Sequence, residues 1–284
     1  MPTQTADVMH SVLIMDFYQK HVIITGGSSG IGKATAIMLA AEGAHLSIIA
    51  RRQDVLLQAQ AEIEAVKIFP EQRVVCLSAS VTQFDEIQTA ITKAIEELGP
   101  PTLVITSAGI AHPGYFQELP VNVFEETMNI NYFGTLYAIK AALPSMIDQQ
   151  QGHIVMISSV AGLIGVYGYS AYSPSKFAVR GLAESLRGEL KPFDIGVSIV
   201  YPPDTDTPQL AAENLTKPYE TKLITSSTKI WKPEEVAQVI INGIKRKDFA
   251  ITPGGEAKIL QIGHSLLAPI IHRYFDRIVN QKKE

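Results

Sequence analysis

The run His21-Val22-Ile23-Ile24-Thr25-Gly26-Gly27-Ser28-Ser29-Gly30-Ile31-Gly32-Lys33-Ala34-Thr35-Ala36 decides the fold. His21–Thr25 is short and mostly β-branched, which predicts a strand, and a helical pattern runs from Gly30 to Glu42. Between them, glycines let the backbone turn sharply and come close to a pyrophosphate. The free N–H groups and the positive end of the following helix then attract the anion. Gly26, Ser28, Ser29, Gly30, Ile31 and Gly32 are therefore candidate cofactor-binding residues. A glycine triplet also fits a plain tight turn, but its place on the first strand-to-helix junction favours a dinucleotide site.

Outward from this run the same rhythm repeats. His45–Ala50, Arg73–Ser78, Thr102–Thr106, His153–Ser158 and Gly196–Tyr201 read as further strands. Helices are expected at 30–42, 53–67, 83–98, 123–149, 171–191 and 233–245. The strands are apolar almost throughout, as burial on both faces requires. The expectation is an α/β, Rossmann-type doubly wound parallel sheet with helices on both faces. One catalytic domain is expected over 18–255, including a polar, Thr- and Pro-rich excursion at 202–232 that is long enough to be a lid. A helical tail follows at 256–284.

Composition narrows the function. Of 284 residues, 46% are hydrophobic and 18% charged, which excludes a disordered chain, and 24 Lys+Arg against 28 Asp+Glu give a net charge of −4. With no long basic block, nucleic acid is excluded as a partner. No metal-ligating constellation stands out. The single cysteine, Cys76, lies in an apolar strand and reads as a core residue, in keeping with a reducing compartment. Met1–Asp16 has no basic start and too short an apolar core for a secretory signal. The charge-free stretch 154–175 is too rich in glycine and serine to span a bilayer. A cytoplasmic location is expected.

The second strand ends Ala50-Arg51-Arg52 where a NAD site usually carries an acid for the ribose 2′-hydroxyl. Two guanidinium groups suit a 2′-phosphate, so Arg51 and Arg52 favour NADP, although they also read as solvated residues at a helix start. Tyr172 and Lys176 lie four apart, on one face of a helix, and an ammonium near the phenol is expected to lower its pKa. Thirteen residues upstream, Ser159 falls at the carboxyl edge of the sheet, where ligands of such folds bind.

Together with Ala108-Gly109 after the fourth strand and Asn131 on the long helix, these motifs make the chain resemble the short-chain dehydrogenase/reductase family over residues 18–255. The resemblance implies NADP-dependent ketone reduction with Tyr172 as general acid and Ser159 on the substrate carbonyl. Lys176 is implied on the nicotinamide ribose and Asn131 as holder of a relay water. It also implies cofactor contacts from Ser80, Val81, Ala108, Gly109, Pro202, Thr205 and Thr207. The sequence departs from the family pattern at Thr106-Ser107, at Ser80, where an acid is usual, and at Pro203, where glycine is usual.

The runs Tyr201-Pro202-Pro203-Asp204-Thr205-Asp206-Thr207-Pro208 and Ala212–Thr221, with Lys176-Phe177-Ala178 and Arg180-Gly181-Leu182, are similar to the 3-ketodihydrosphingosine reductase branch. That branch uses NADPH to reduce a long-chain 3-keto base in sphingolipid synthesis. Another ketone, such as a 3-oxoacyl thioester or steroid, and a non-enzymatic NADP-binding regulator are the alternatives. Ile110, Tyr115, Phe116, Val166, Tyr167 and Leu210 are candidates for an alkyl groove. Unlike eukaryotic members, the chain shows no N-terminal span, so a soluble or peripherally attached form is expected. In the tail, an apolar stripe of Ile259, Ile262, Leu266, Ile270, Tyr274 and Ile278 is flanked by Lys258, Arg273, Arg277, Lys282 and Lys283, with Pro269 expected to kink it. It suits an anionic membrane surface, a second subunit or its own domain.

Overall fold

The computed structural model describes residues 15–226 and 228–280. The N-terminal segment that was read for a signal, and Lys282 and Lys283 of the tail, lie outside them. Seven parallel strands form one sheet in the order β3-β2-β1-β4-β5-β6-β7. They are β1 His21–Thr25, β2 His45–Ala50, β3 Val74–Ser78, β4 Leu103–Thr106, β5 Gly152–Ile157, β6 Ile195–Val200 and β7 Ala250–Ile251. The first six match the sequence reading to within a residue or so. β7 was missed, because two residues carry no periodicity.

The sheet is covered on both faces. One face carries α1 Gly30–Ala41, α2 Gln53–Glu64 and α9 Pro233–Lys245, through Leu39, Leu56, Ile63, Val236 and Ile240, against Ile24, Ile48 and Ile105. The other carries α3 Phe84–Leu98, α5 Gly134–Asp148 and α6 Tyr172–Glu189, through Ile87, Ile91, Ile139 and Val179, against Ile23, Ile49 and Val104. Neighbouring residues of one strand therefore point into different cores, which is why the strands read as continuous apolar runs. Cys76 is partly buried with its Sγ on the Leu56 carbonyl, and burial pushes the thiol up to about 11, as suits an inert packing residue.

The helix expected at 123–149 is in fact α4 Val121–Met128, a π-helical turn Asn129–Phe133, and α5. The polar excursion after β6 folds into α7 Pro208–Thr216 and α8 Tyr219–Thr225. Its base is closed by backbone bonds from Asp206 N–H to the Trp231 carbonyl (2.8 Å) and from Trp231 N–H to the Asp204 carbonyl (2.9 Å). The tail is a single helix, α10 Gly255–Asn280, continuous through Pro269. Among the described residues, no helix is long and apolar enough to cross a membrane. The stretch 154–175 is divided among β5, a loop and the start of α6.

Two buried histidines sit in equivalent places at the amino edge of the sheet. His21 Nδ1 donates to the Gly99 carbonyl (2.6 Å) and Nε2 accepts from Ser47 on the next strand (2.9 Å). His153 Nε2 donates to Ser198 (2.7 Å), whose own proton goes to the Asp248 carbonyl (2.6 Å). Gly196 faces the second ring, where a Cβ would meet Nδ1 at 2.3 Å. Burial holds both rings near pKa 4, with smaller contributions in the same direction from His45 on His21 and Lys247 on His153. In the unfolded chain they take a proton near 6.5. Between these values the unfolded state binds more protons, so stability should fall as pH drops from 6.5 towards 4, by on the order of 3 kcal/mol per ring. Denaturant melts across that window test it. The double variant His21→Asn, His153→Asn should show a shallower loss, and an unchanged slope would place the acid sensitivity elsewhere.

Candidate active site

A cavity of about 700 Å³ opens at the carboxyl edge of the sheet, where the strand order reverses between β1 and β4. One end is the loop after β1. Gly26 (φ +72°) and Gly30 (φ +53°) take the left-handed conformation that favours glycine. A Cβ on Gly26 would lie 2.5 Å from the Ala108 amide nitrogen, and one on Gly32 would lie 2.3 Å from the Gly26 carbonyl. The loop is thus folded tightly on itself and against the end of β4. The Ser29 side chain makes no capping hydrogen bond on α1, and the first turn of α1 holds no acidic residue. The amino end of α1 is left for an anion.

Gly26, Ser28, Ser29, Gly30 and Ile31 line the cavity, as do Ser80, Val81, Ala108, Gly109, Pro202, Thr205 and Thr207. Gly32 does not; it is buried behind the turn as a close-packing glycine. Arg51 and Arg52 are exposed at the rim, and among the described residues neither forms an ion pair with a carboxylate. Thr207 caps α7 through its hydroxyl and packs its methyl group where a Gly30 side chain would be. The lid is thereby tied to the glycine loop. The donor set fits a nicotinamide dinucleotide, with open amides for a diphosphate and two guanidinium groups at the rim.

Ser159, Tyr172 and Lys176 meet in the middle of the cavity. Tyr172 and Lys176 are almost fully buried on the first turns of α6. Lys176 Nζ donates to the Ile157 carbonyl (3.0 Å) and lies 5.6 Å from the centre of the Tyr172 ring. Burial lowers its pKa to about 8, against the opposing pull of Glu213. The Ser159 and Gln209 side chains line the cavity with Tyr172 and act to lower its pKa as hydrogen-bonding neighbours. The Tyr172 pKa does not fall as the Tyr–Lys spacing led one to expect. Burial raises it first and the Glu213 carboxylate raises it further, outweighing the two hydrogen bonds, while the Lys176 ammonium is turned to the backbone. Tyr172 is held as a phenol, the form that can donate a proton.

Asn131 lies behind this group, not on the cavity wall. It belongs to the π-helical turn, and its side chain accepts from the Ile110 N–H (2.8 Å) and donates to the Ile110 carbonyl (2.9 Å) and Ser175 (2.9 Å). Both amide hydrogens are spent on fixing the loop after β4 to α6. The backbone carbonyl accepts from Thr135 (2.8 Å).

Of the expected alkyl-groove residues, Ile110, Val166 and Leu210 line the cavity. Tyr115, Phe116 and Tyr167 do not. The loop after β4 turns outward, leaving Phe116 70% exposed against Phe124 and sending the Tyr115 hydroxyl to Glu220. Instead, Leu260, Ile271 and Phe275 of α10 supply apolar wall. Sequence reading also missed Tyr169, Gln209, Glu213 and Asp204, all of which line the cavity. The signal was the i, i+4, i+8 spacing of Gln209, Glu213 and Lys217 on α7. Among the described residues, no cluster of three His, Cys, Asp or Glu could hold a metal.

The family described as short chain dehydrogenase matches residues 20–218. The chain belongs to the short-chain dehydrogenase/reductase family. It is 44% identical over 251 residues to the 3-ketodihydrosphingosine reductase of Bos taurus, covering 88% of this chain and 76% of that one. Identity to the Mus musculus protein of the same name is 45% with the same coverage, and to that of Dictyostelium discoideum 42% over 271 residues, covering 90% of this chain and 81% of that one. Levodione reductase shares the fold, with a TM-score of 0.77 over 85% of this chain and 99% of its own, at 24% identity. The chain is thus an oxidoreductase of this family, working on a small molecule with a nicotinamide cofactor. From the geometry, Tyr172→Phe should abolish turnover and leave coenzyme affinity within a few-fold, since the phenol donates a proton and does not anchor the coenzyme. Lys176→Ala should impair both. Steady-state kinetics with coenzyme titration will show it, and wild-type rates in the Phe variant would remove Tyr172 from the chemistry.

Proposed function

We propose that this chain reduces 3-ketodihydrosphingosine, a long-chain 2-amino-3-ketone, to dihydrosphingosine with NADPH. One observation carries the reading. The cavity, of about 700 Å³, runs from the glycine loop and Arg51-Arg52, past Ser159 and Tyr172, to an apolar wall of Leu260, Ile271 and Phe275, so one end offers amides and cations and the other apolar surface. The names of the relatives at 42–45% identity support the substrate. A bound nicotinamide dinucleotide would supply the hydride. The residues of the chain do the rest: the Ser159 and Tyr172 hydroxyls face the carbonyl oxygen as negative charge grows on it, and Tyr172 passes it a proton. Burial of Tyr172 and Lys176, with Ser159 half-buried beside them, strengthens these contacts by excluding water.

NADPH follows from the rim. β2 ends in Ala50 with no acid for a ribose hydroxyl, and Arg51 and Arg52 have no carboxylate partner among the described residues, so both are available to a 2′-phosphate. Product analysis by mass spectrometry, with a panel of 3-keto amines, 3-oxoacyl thioesters and steroids and both coenzymes, tests substrate and cofactor together. The long-chain 3-keto amine with NADPH should lead. Replacing both arginines by Ala should weaken NADPH by about 2–4 kcal/mol and barely change NADH. Equal losses would make the arginines structural.

The working place proposed is the cytoplasmic face of a membrane. The tail stripe is not packed on its own chain: Ile259, Ile262, Leu266 and Ile270 are 62–84% exposed, while the opposite face of α10 closes the cavity. Lys258, Arg273 and Arg277 are exposed on the same helix, a distribution suited to anionic lipid. Because α10 also walls the cavity, Leu266→Asp with Ile270→Asp is a cleaner test than truncation. The wild type should float with anionic liposomes at low salt and the variant should not. A soluble dimer that the variant dissociates would assign the stripe to a second subunit.

A further inference from the structure

Helix α7 turns charge inward together with its apolar Leu210. Gln209 and Glu213, with Lys217 at the end of the helix, lie on the inner side, Glu213 and Lys217 each 6% exposed, while Leu215 is 85% exposed to solvent. An amphipathic helix normally does the reverse. The inward face meets the catalytic group. Glu213 Oε2 accepts from the Tyr169 hydroxyl (2.6 Å), and Oε1 accepts from the Gln209 amide (2.9 Å). Tyr169, which holds Glu213, stands with its ring centre 5.6 Å from that of Tyr172, and Gln209, Glu213 and Tyr172 all line the same cavity.

The charge on Glu213 is under-compensated. Lys217 Nζ stands 4.0 Å from it, beyond hydrogen-bond reach, and nearer to Asp204 at 3.7 Å. Two carboxylates share the Lys217 ammonium, and Lys176, whose hydrogen bond goes to the Ile157 carbonyl, acts on Glu213 only through space, in a place where an unneutralised charge is costly. Glu213 also raises the Tyr172 phenol further above its ordinary value, which keeps it protonated. A carboxylate kept at that cost is explained if a cation arrives with the substrate.

We propose that Glu213 receives the substrate's ammonium group and is the residue that selects 2-amino ketones over neutral ketones. The inference rests on the substrate class proposed above and extends it to a residue. In a 2-amino-3-ketone the nitrogen and the carbonyl lie on adjacent carbons. With the carbonyl on Ser159 and Tyr172, an ammonium one carbon away would lie on the side of the cavity that Glu213 lines. A carboxylate has acceptor sites to spare after its bonds to Tyr169 and Gln209. A 3-oxoacyl thioester or a steroid would bring no cation and leave the carboxylate buried beside a dipole.

The test compares the full-length wild type and Glu213→Gln on two substrates with NADPH: a long-chain 2-amino-1-hydroxy-3-ketone and the same ketone lacking the amine. The readout is the ratio of kcat/KM for the amino over the desamino ketone. Any effect of the variant on Tyr172 or on lid folding acts on both substrates and cancels. The ratio should fall about 10- to 100-fold, the scale of a charge-assisted hydrogen bond, and mainly through KM for the amino ketone. Direct binding of the 2-amino-1,3-diol product against its desamino analogue should show the same loss without turnover. An unchanged ratio, with the amino ketone still reduced, overturns the assignment of Glu213 alone. Wild-type enzyme that reduces neither ketone overturns the substrate reading and this inference with it.

Discussion

Everything at the site depends on how closely the chain passes itself at the end of β1. Gly26 lies against the Ala108 backbone, and Gly32 lies against Gly26. No side chain fits at either contact. This double approach brings the start of α1, the loop after β4 and the top of β1 into one crevice. α1 contributes its uncapped amino end, and the loop after β4 contributes Gly109. A Cβ at Gly109 would stand 3.2 Å from the Asn131 amide oxygen and 3.5 Å from Lys176 Nζ. Asn131 in turn locks that loop to α6 through Ile110 and Ser175, so the phosphate end and the proton-donor end are fixed by one continuous set of short contacts. Positioning of this kind governs rate, because a misplacement of about an ångström is enough to be felt.

The electrostatics of the proton donor follow from that packing. Lys176 is nearly dehydrated and spends a proton on the Ile157 carbonyl, so its charge is directed along the backbone. The simple expectation that an ammonium four residues along a helix acidifies its tyrosine counts only distance in sequence. It leaves out desolvation, which dominates for a buried phenol, and a carboxylate delivered by a helix 40 residues away. For ketone reduction the result is coherent, since the group that must lose a proton starts out protonated.

The parts legible in the sequence were those written locally. Strands β1 to β6 were marked by β-branched runs, α9 was read with its ends in place, and Ser159, Tyr172 and the glycine loop came from spacing. β7, two residues long, left no pattern, and it is held by pairing with β6 from Ile199 and Val200. The π-helical turn at Asn131 was hidden inside one helical run of 27 residues, because a single turn of five residues is too short to carry a period of its own. Tyr115 and Phe116 were assigned to the groove on hydrophobicity alone; the direction in which their loop turns is set by Tyr115 reaching Glu220 on the lid, a contact 105 residues distant. Gln209, Glu213 and Lys217 fall in the excursion at 202–232, whose polar composition marks a lid without saying which side of it faces in. Only the docking of the lid shows that they point inward.

That docking explains why the two halves of the site differ in what they can specify. The sheet edge offers backbone amides, glycines and the Ser159–Tyr172–Lys176 group, all of which address features common to any dinucleotide and any ketone. The lid is attached at its base by the pairing around Trp231 and at its far side by the Thr221 hydroxyl on the Tyr167 carbonyl (2.9 Å), where Gly168 (φ +80°) leaves no room for a side chain. Between these anchors α7 presents charge to the interior and leaves Leu215 outside. α8 does the same, with Glu220 buried and Tyr219 59% exposed. Hydrophobic burial alone does not orient these two short helices: Leu210 and Ile224 are buried, but Glu213, Glu220 and Thr221 are buried with them, and a purely apolar packing would also turn Leu215 and Tyr219 inward. The hydrogen bonds of Glu213 to Tyr169, of Glu220 to Tyr115 and of Thr221 to Tyr167 oppose that tendency, and a buried set of charges holds together only while each is satisfied. The lid is therefore built around its polar interior, and what can enter beside Tyr172 is decided there.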